Sequence, residues 1–129
     1  MKQRREIVIE GVGQVVCRLV QEPPEALVPG AVRIRTQYSF ISAGTELSIY
    51  TGKEPKAHQK GSWCAYPYKA GYGNIGIVVE TSREVDHLKA GQRVFSFAPH
   101  ASEVVVPAAE LIVPVPEEIA GPVAVASRM

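Results

Sequence analysis

Residues 71–80 read Gly71-Tyr72-Gly73-Asn74-Ile75-Gly76-Ile77-Val78-Val79-Glu80, and the use made of these glycines decides the fold. The string is G-x-G-x-x-G followed by x-V, a pattern shared by the dinucleotide-binding turn and the glycine-rich loop of protein kinases. The first needs a strand before the glycines, a helix opening after them and an acid about 20 residues on. Here Tyr66-Pro67-Tyr68-Lys69 precede them, residues with which no strand is expected to end. Ile75, Ile77, Val78 and Val79 follow, a β-branched run that favours strand over helix. No crossover helix is readable after it. A kinase loop would need a Val-Ala-Ile-Lys setting on the next strand, and none occurs. The sequence therefore predicts a bent strand, with glycines where one backbone passes close to another and a Cβ would clash.

The rest of the chain sets the outer limits. A length of 129 residues is ordinarily one domain and enough for a working core. With 21% charged residues and a net charge of +1, the chain carries no electrostatic footprint for nucleic acid or an acidic membrane. Its one basic cluster, Lys2, Arg4 and Arg5, has Glu6 beside it and reads as a solvated leader. No apolar run approaches the roughly 18 residues of a membrane span, and no secretion leader is visible. Cys17 and Cys64 lie far apart and read as free thiols in a reducing compartment, with the cytoplasm expected.

In order, the chain reads mainly as β-structure. Residues 6–10 and Val15 to Val20 suggest a hairpin around Gly11-Val12-Gly13. Ala31 to Tyr38 alternates, with Val32, Ile34 and Thr36 on one face and Arg33, Arg35 and Gln37 on the other. Thr45 is placed to cap a short helix through Tyr50, stopped by Gly52. Residues 53–70 have no periodicity and predict a surface excursion. Strands are expected at Ile75 to Thr81, Arg93 to Phe97 and His100 to Val106, with an edge strand at Leu111 to Pro116. Glu117-Glu118-Ile119-Ala120 reads as a helix start with acids in its first turn. Ala124, Val125 and Ala126 then have apolar surface with nothing later in the chain to pack on.

Short strands at roughly 8–15-residue spacing with Gly and Pro turns predict a small β-barrel. The order of motifs carries a resemblance as well. Val-Arg-Ile-Arg-Thr, then Ile41-Ser42-Ala43-Gly44-Thr45-Glu46-Leu47 and Tyr50-Thr51-Gly52, resemble the N-terminal half of the medium-chain dehydrogenases/reductases. So do Pro67 through Gly71 followed by Gly76-Ile77-Val78-Val79-Glu80, Leu88 through Phe95, and Val113-Pro114-Val115-Pro116. The resemblance covers nearly the whole chain. It implies a mainly β, GroES-like, partly open β-barrel with short helices over residues 1–116. Residues 117–129 would begin the helix leading to a Rossmann coenzyme domain, truncated here. It further implies an NAD(P)(H)-dependent oxidoreductase acting on a small carbonyl or alcohol, with the coenzyme held mainly by that other domain.

Zinc enzymes of this superfamily bind metal through a Cys in a Cys-Gly-Thr-Asp-like turn and through a His-Glu pair. The matching positions here are Ala43, Tyr72 and Gly73, and neither Ala nor Gly offers a donor atom. The four-cysteine structural lobe is also missing, because Phe97-Ala98-Pro99-His100 runs straight on. Cys17, His58, Cys64, His87 and His100 are scattered, with His87 and His100 expected on solvated loops or strand ends. The expectation is a zinc-independent enzyme. Hydride transfer without metal needs another proton source and another means of stabilising charge.

By the resemblance, Thr45 is the hydroxyl that relays a proton near the nicotinamide ribose. Its other reading is a helix cap, and the two are compatible. Tyr72 replaces a ligand and would face the cleft as a proton-donating phenol, or simply fill the space the metal leaves. Glu46, near the first turn of the helix, reads as structural. Gly44 permits close approach of the coenzyme, or only the turn. Tyr50, Trp63, Tyr66 and Tyr72 are the expected substrate-cleft residues, with a satellite core under the long loop as the other reading for the aromatics. A second hypothesis stays open, a stand-alone GroES-like binding module with no chemistry. Edge strands and a bare helix start leave self-association open as well.

Overall fold

The computed structural model describes residues 2–22 and 26–126. The chain opens with a hairpin of β1 (Lys2–Gly11) and β2 (Gln14–Glu22). Gly13, at φ +68°, supplies the left-handed turn that lets the chain reverse. The hairpin is longer than the alternation suggests, because backbone pairing continues through Arg5 opposite Leu19 to Lys2 opposite Glu22.

A five-stranded antiparallel sheet forms the larger layer. β3 (Ala31–Ser39) lies between β5 (Asn74–Thr81) and β7 (Glu103–Pro107). β6 (Arg93–Ser96) pairs with β5, and the edge strand β8 (Ile112–Pro114) pairs with β6. The alternation read in β3 sets the core: Val32 and Ile34 are fully buried and pack with Val78, Leu88 and Val94. Arg33, on the opposite face, reaches Glu80 and Glu103.

The glycines of 71–80 are used for close approach. A Cβ at Gly76 would stand 2.5 Å from the Arg35 carbonyl oxygen and from Ile34 Cγ2. Two register shifts between β3 and β5 bend the pair at this place. Gly71 has φ +103°, and a Cβ there would come 2.6 Å from the His100 backbone nitrogen. The run after Gly73 is strand β5, with no helix opening from the turn.

A strand does precede the glycines, against expectation. Tyr68–Lys69 form a two-residue strand, β4, opposite Ile9 and Val8 of β1, giving a three-stranded sheet β2-β1-β4. Residues 55–58 make a single 3-10 turn within the predicted excursion. His100 lies outside a strand, since β7 begins only at Glu103. Glu117, Glu118 and Ile119 form a turn, and the last helix is α2 (Gly121–Val125), with Pro122 in its first turn. Ala124 and Val125 are not bare, because they pack on Ile75 and Phe95. Ala126 lies just beyond α2 and is half-buried.

The expected barrel takes the form of two sheets joined at a seam. The sheets touch through the bridge Glu6–Ala101. Ile7 N–H donates to the His100 carbonyl at 3.0 Å, and Ser102 N–H donates to that of Arg5 at 2.8 Å. Ala70 N–H donates to the Ile7 carbonyl, and His100 N–H to that of Ala70 at 2.8 Å. No continuous ladder closes the barrel among the described residues. None of their helices is long and apolar enough to cross a membrane.

Candidate functional site

The site is organised by α1 (Thr45–Tyr50), the short helix read from the sequence. Ile49 and Glu46 point inward one turn apart, and the helix stops at Gly52, whose φ is +78°. Thr45 does not cap it with its side chain; the capping is done by Ser42 and Glu46. Ser42 Oγ accepts from Thr45 N–H at 3.2 Å, and Glu46 Oε2 accepts from Ser42 N–H at 2.5 Å. This reciprocal pair works like a capping box, with Glu46 four residues after Ser42. The structural reading of Glu46 thereby acquires specific partners.

Glu46 has a second partner that the sequence does not announce. Its Oε1 lies 2.5 Å from His100 Nε2, and His100 Nδ1 lies 2.7 Å from Ser39 Oγ. His100, expected on a solvated loop or strand end, is only 7% exposed. It is buried because Glu46 and Ser39 satisfy both ring nitrogens, and because glycine at 71 lets backbone pack against the ring. A carboxylate at Glu46 only accepts, so Nε2 carries a proton, and in the neutral ring Nδ1 then accepts from the Ser39 hydroxyl. Nothing periodic marks His100 in the sequence.

Glu46 and His100 border a cavity of about 320 Å³, otherwise lined by Ile7, Ile9, Val15, Ala43 and Tyr50 among others. Tyr50 lies on the wall of this largely apolar cavity. Gly44 and Thr45 lie at the start of α1 and are not among the residues lining this cavity, and a Cβ on Gly44 would meet open space.

The aromatic group separates. Tyr66 donates its hydroxyl to the Ile49 carbonyl and packs with Ile9, Ile49 and Cys64. Its ring meets His58 edge-on, and His58 Nε2 lies 2.9 Å from the Gly52 carbonyl. This is the satellite core under the long loop. Trp63 is 59% exposed and touches Tyr68 edge-on. Burial first, and the Glu46 carboxylate after it, push the Tyr68 phenol above its ordinary range. Tyr72 is half-buried just past Gly71, outside the lining of this cavity.

The donor set at the positions matching a catalytic metal does not fit zinc. Ala43 and Gly73 have no donor atom, and a Cβ at Gly73 would already lie 3.5 Å from Phe40 Cβ. Cys17 is exposed, Cys64 buried, and both are free thiols. His87 is exposed beside Asp86, as expected of a solvated loop.

No protein-family model and no curated protein matches the chain. Solved structures do match its fold. The human synaptic vesicle membrane protein VAT-1 homolog-like protein matches with a TM-score of 0.75 at 20% identity, over 99% of this chain and 40% of its own. An Escherichia coli alcohol dehydrogenase complexed with its cofactor NADH matches with a TM-score of 0.72 at 20% identity, over 95% of this chain and 41% of its own. The 2R,3R-butanediol dehydrogenase of Bacillus subtilis matches with a TM-score of 0.71 at 18% identity, over 95% of this chain and 43% of its own. The chain therefore spans well under half the length of the proteins it matches. At these identities the likeness is one of fold: the chain has the architecture of the N-terminal, GroES-like portion of medium-chain dehydrogenases and reductases.

Proposed function

We propose that this chain, having that fold, is the substrate-side domain of an NAD(P)(H)-dependent oxidoreductase of the medium-chain dehydrogenase/reductase type. The observation that carries the reading is the match of nearly the whole chain to one portion of longer proteins, two of them dehydrogenases. The coenzyme, held mainly by a Rossmann domain, supplies the hydride. This chain's residues shape the apolar cleft, with Tyr50 on its wall, and handle the proton. Thr45 is the relaying hydroxyl at the start of α1, Tyr72 the second proton donor, and Gly44 the point where the coenzyme comes close. Trp63 is assigned to the same cleft, while the hydroxyl of Tyr66 is committed to Ile49. The reaction runs without zinc, because the donor set at Ala43, Tyr72 and Gly73 is wrong for it. The substrate is a small carbonyl or alcohol, and the setting is cytoplasmic.

The test joins the chain to a Rossmann coenzyme domain and follows NAD(P)H oxidation against a panel of small carbonyls. Turnover is expected in the joined protein and not in the 129-residue chain alone. Thr45→Val should lower kcat by roughly 10²-fold, the lower end of what general acid–base catalysis contributes. Oxidation by the isolated chain would refute the reading, as would an inert joined protein. Elemental analysis after purification without added metal should find no stoichiometric zinc.

A further inference from the structure

Ser39, His100 and Glu46 form a line of hydrogen bonds that the hydride chemistry leaves unused. The imidazole and carboxylate are 7% and 5% exposed, whereas Ser39 at the end of β3 is exposed. Each member is held in place. Ser42 N–H fixes the second carboxylate oxygen, and a Cβ at Gly71 would lie 2.8 Å from the His100 ring, so tightly is backbone packed there. With Nε2–H committed to Glu46, the Nδ1 lone pair faces the Ser39 hydroxyl at 2.7 Å. That is the connectivity of a serine nucleophile, its base and the acid that orients the base. The ring nitrogens exchange the places they have in serine proteases, which leaves the proton transfer unchanged. A cavity of about 170 Å³ opens beside the hydroxyl, lined by Ser39, His100, Arg5, Cys17 and Ser102 among others. Arg5 and Glu6 both line this opening; Glu6 is held by Arg4 and Arg18, whereas Arg5 makes no ion pair among the described residues.

We propose that Ser39 is an activated nucleophile that accepts acyl groups from small esters, with His100 as its base and Glu46 as a positioning residue. Ser39 Oγ attacks the ester carbonyl carbon as its proton passes to Nδ1. Arg5 stabilises the oxyanion that forms. The bond to the leaving alcohol then breaks, and that alcohol takes the proton from Nδ1. Water repeats the sequence on the acyl-serine and releases the acid, so the net reaction is ester hydrolysis. Glu46 and His100 also border the 320 Å³ cavity given to the hydride reaction, but the ester step uses the Ser39 side of the ring and needs no second domain.

The experiment uses the 129-residue chain. Diisopropyl fluorophosphate should leave one adduct per chain, mapped by peptide mass spectrometry to Ser39 and absent from Ser39→Ala. With p-nitrophenyl acetate, His100→Gln should slow release of p-nitrophenol by roughly 10²–10⁴-fold. Glu46→Gln should lower kcat and leave KM unchanged. Removing a buried ring or carboxylate can also unfold the chain, so an exposed substitution decides independently. The Ser39→Cys thiol should react with iodoacetamide at least about tenfold faster than Cys17, since a neighbouring base raises its thiolate fraction. Cys17 is the fitting control: it is exposed and lines the same cavity. Absence of an adduct on Ser39, or alkylation of Ser39→Cys no faster than Cys17, overturns the proposal.

Discussion

The large sheet and the seam beside it are held by different physics. Although Asn74 and Ser96 of the large sheet are also fully buried, its core around β3 is hydrocarbon, with Val32, Ile34 and Val94 0% exposed and Val78 1%. Their stabilisation follows the apolar area removed from water and has no direction. At the seam the buried groups are polar. Glu6, Glu46 and His100 are 4%, 5% and 7% exposed, and each is satisfied by named partners. Glu6 accepts from Arg4 at 2.8 Å and Arg18 at 2.7 Å, with Lys69 at 3.7 Å. Such bonds contribute modestly when complete and cost much when half broken. The hydrocarbon layer therefore supplies most of the stability, and the seam fixes where the small sheet and α1 sit relative to it.

That division can be broken by measurement. Ile34→Ala should give the largest loss, about 2–5 kcal/mol in urea unfolding, as a buried side chain leaves a cavity. Gly71→Ala acts at the seam through backbone strain and the 2.6 Å approach to His100. It should cost about 1–3 kcal/mol by the same assay. If it costs more than Ile34→Ala, the seam and not the hydrocarbon carries the fold. Glu46→Gln keeps an acceptor but loses charge; the expected loss is about 1–2 kcal/mol, with the near-ultraviolet signal of the tyrosines changed.

The smallest effect is a dependence on acid. Burial alone would raise the Glu6 carboxyl, but Arg18, Arg4 and Lys69 outweigh it and hold it below its ordinary range. A carboxyl lowered in the folded state adds stability that is present above the unfolded value near 4.3 and lost as pH falls through the folded value. Part of the loss in unfolding free energy between neutral and acid solution should therefore vanish in Glu6→Gln, by about 1 kcal/mol or less, because Arg18 is well exposed. An unchanged acid dependence would remove Glu6 from the seam's balance.

The hydrocarbon half was readable from sequence and the polar half was not. Val32, Ile34 and Thr36 alternate locally, and β-branched residues after Gly73 announce a strand, so β3 and β5 follow from neighbours alone. Gly76 was legible because a glycine inside such a run implies close approach. The two-residue strand Tyr68–Lys69 has no period to show, and its pairing is set by β1, some 60 residues earlier. The final helix was misplaced because the acids at 117 and 118 looked like a first turn, whereas Pro122 marks the true one. His100 was hidden for a related reason: its partner Glu46 is 54 residues away, and a buried polar group is betrayed only by what satisfies it.

The outer rims of the sheets are unequally guarded. In the large sheet, β7 ends at Pro107 and β8 at Pro114, residues that lack the N–H a docking strand would need. The nine-residue β2 is the longer rim of the small sheet, has no proline within it and leaves Val15 and Leu19 about half exposed, Val15 on the wall of the apolar cavity. When concentrated chains precipitate or form fibres, β2 is where strand-to-strand growth starts, and a lysine on its outward face is the substitution that keeps them in solution.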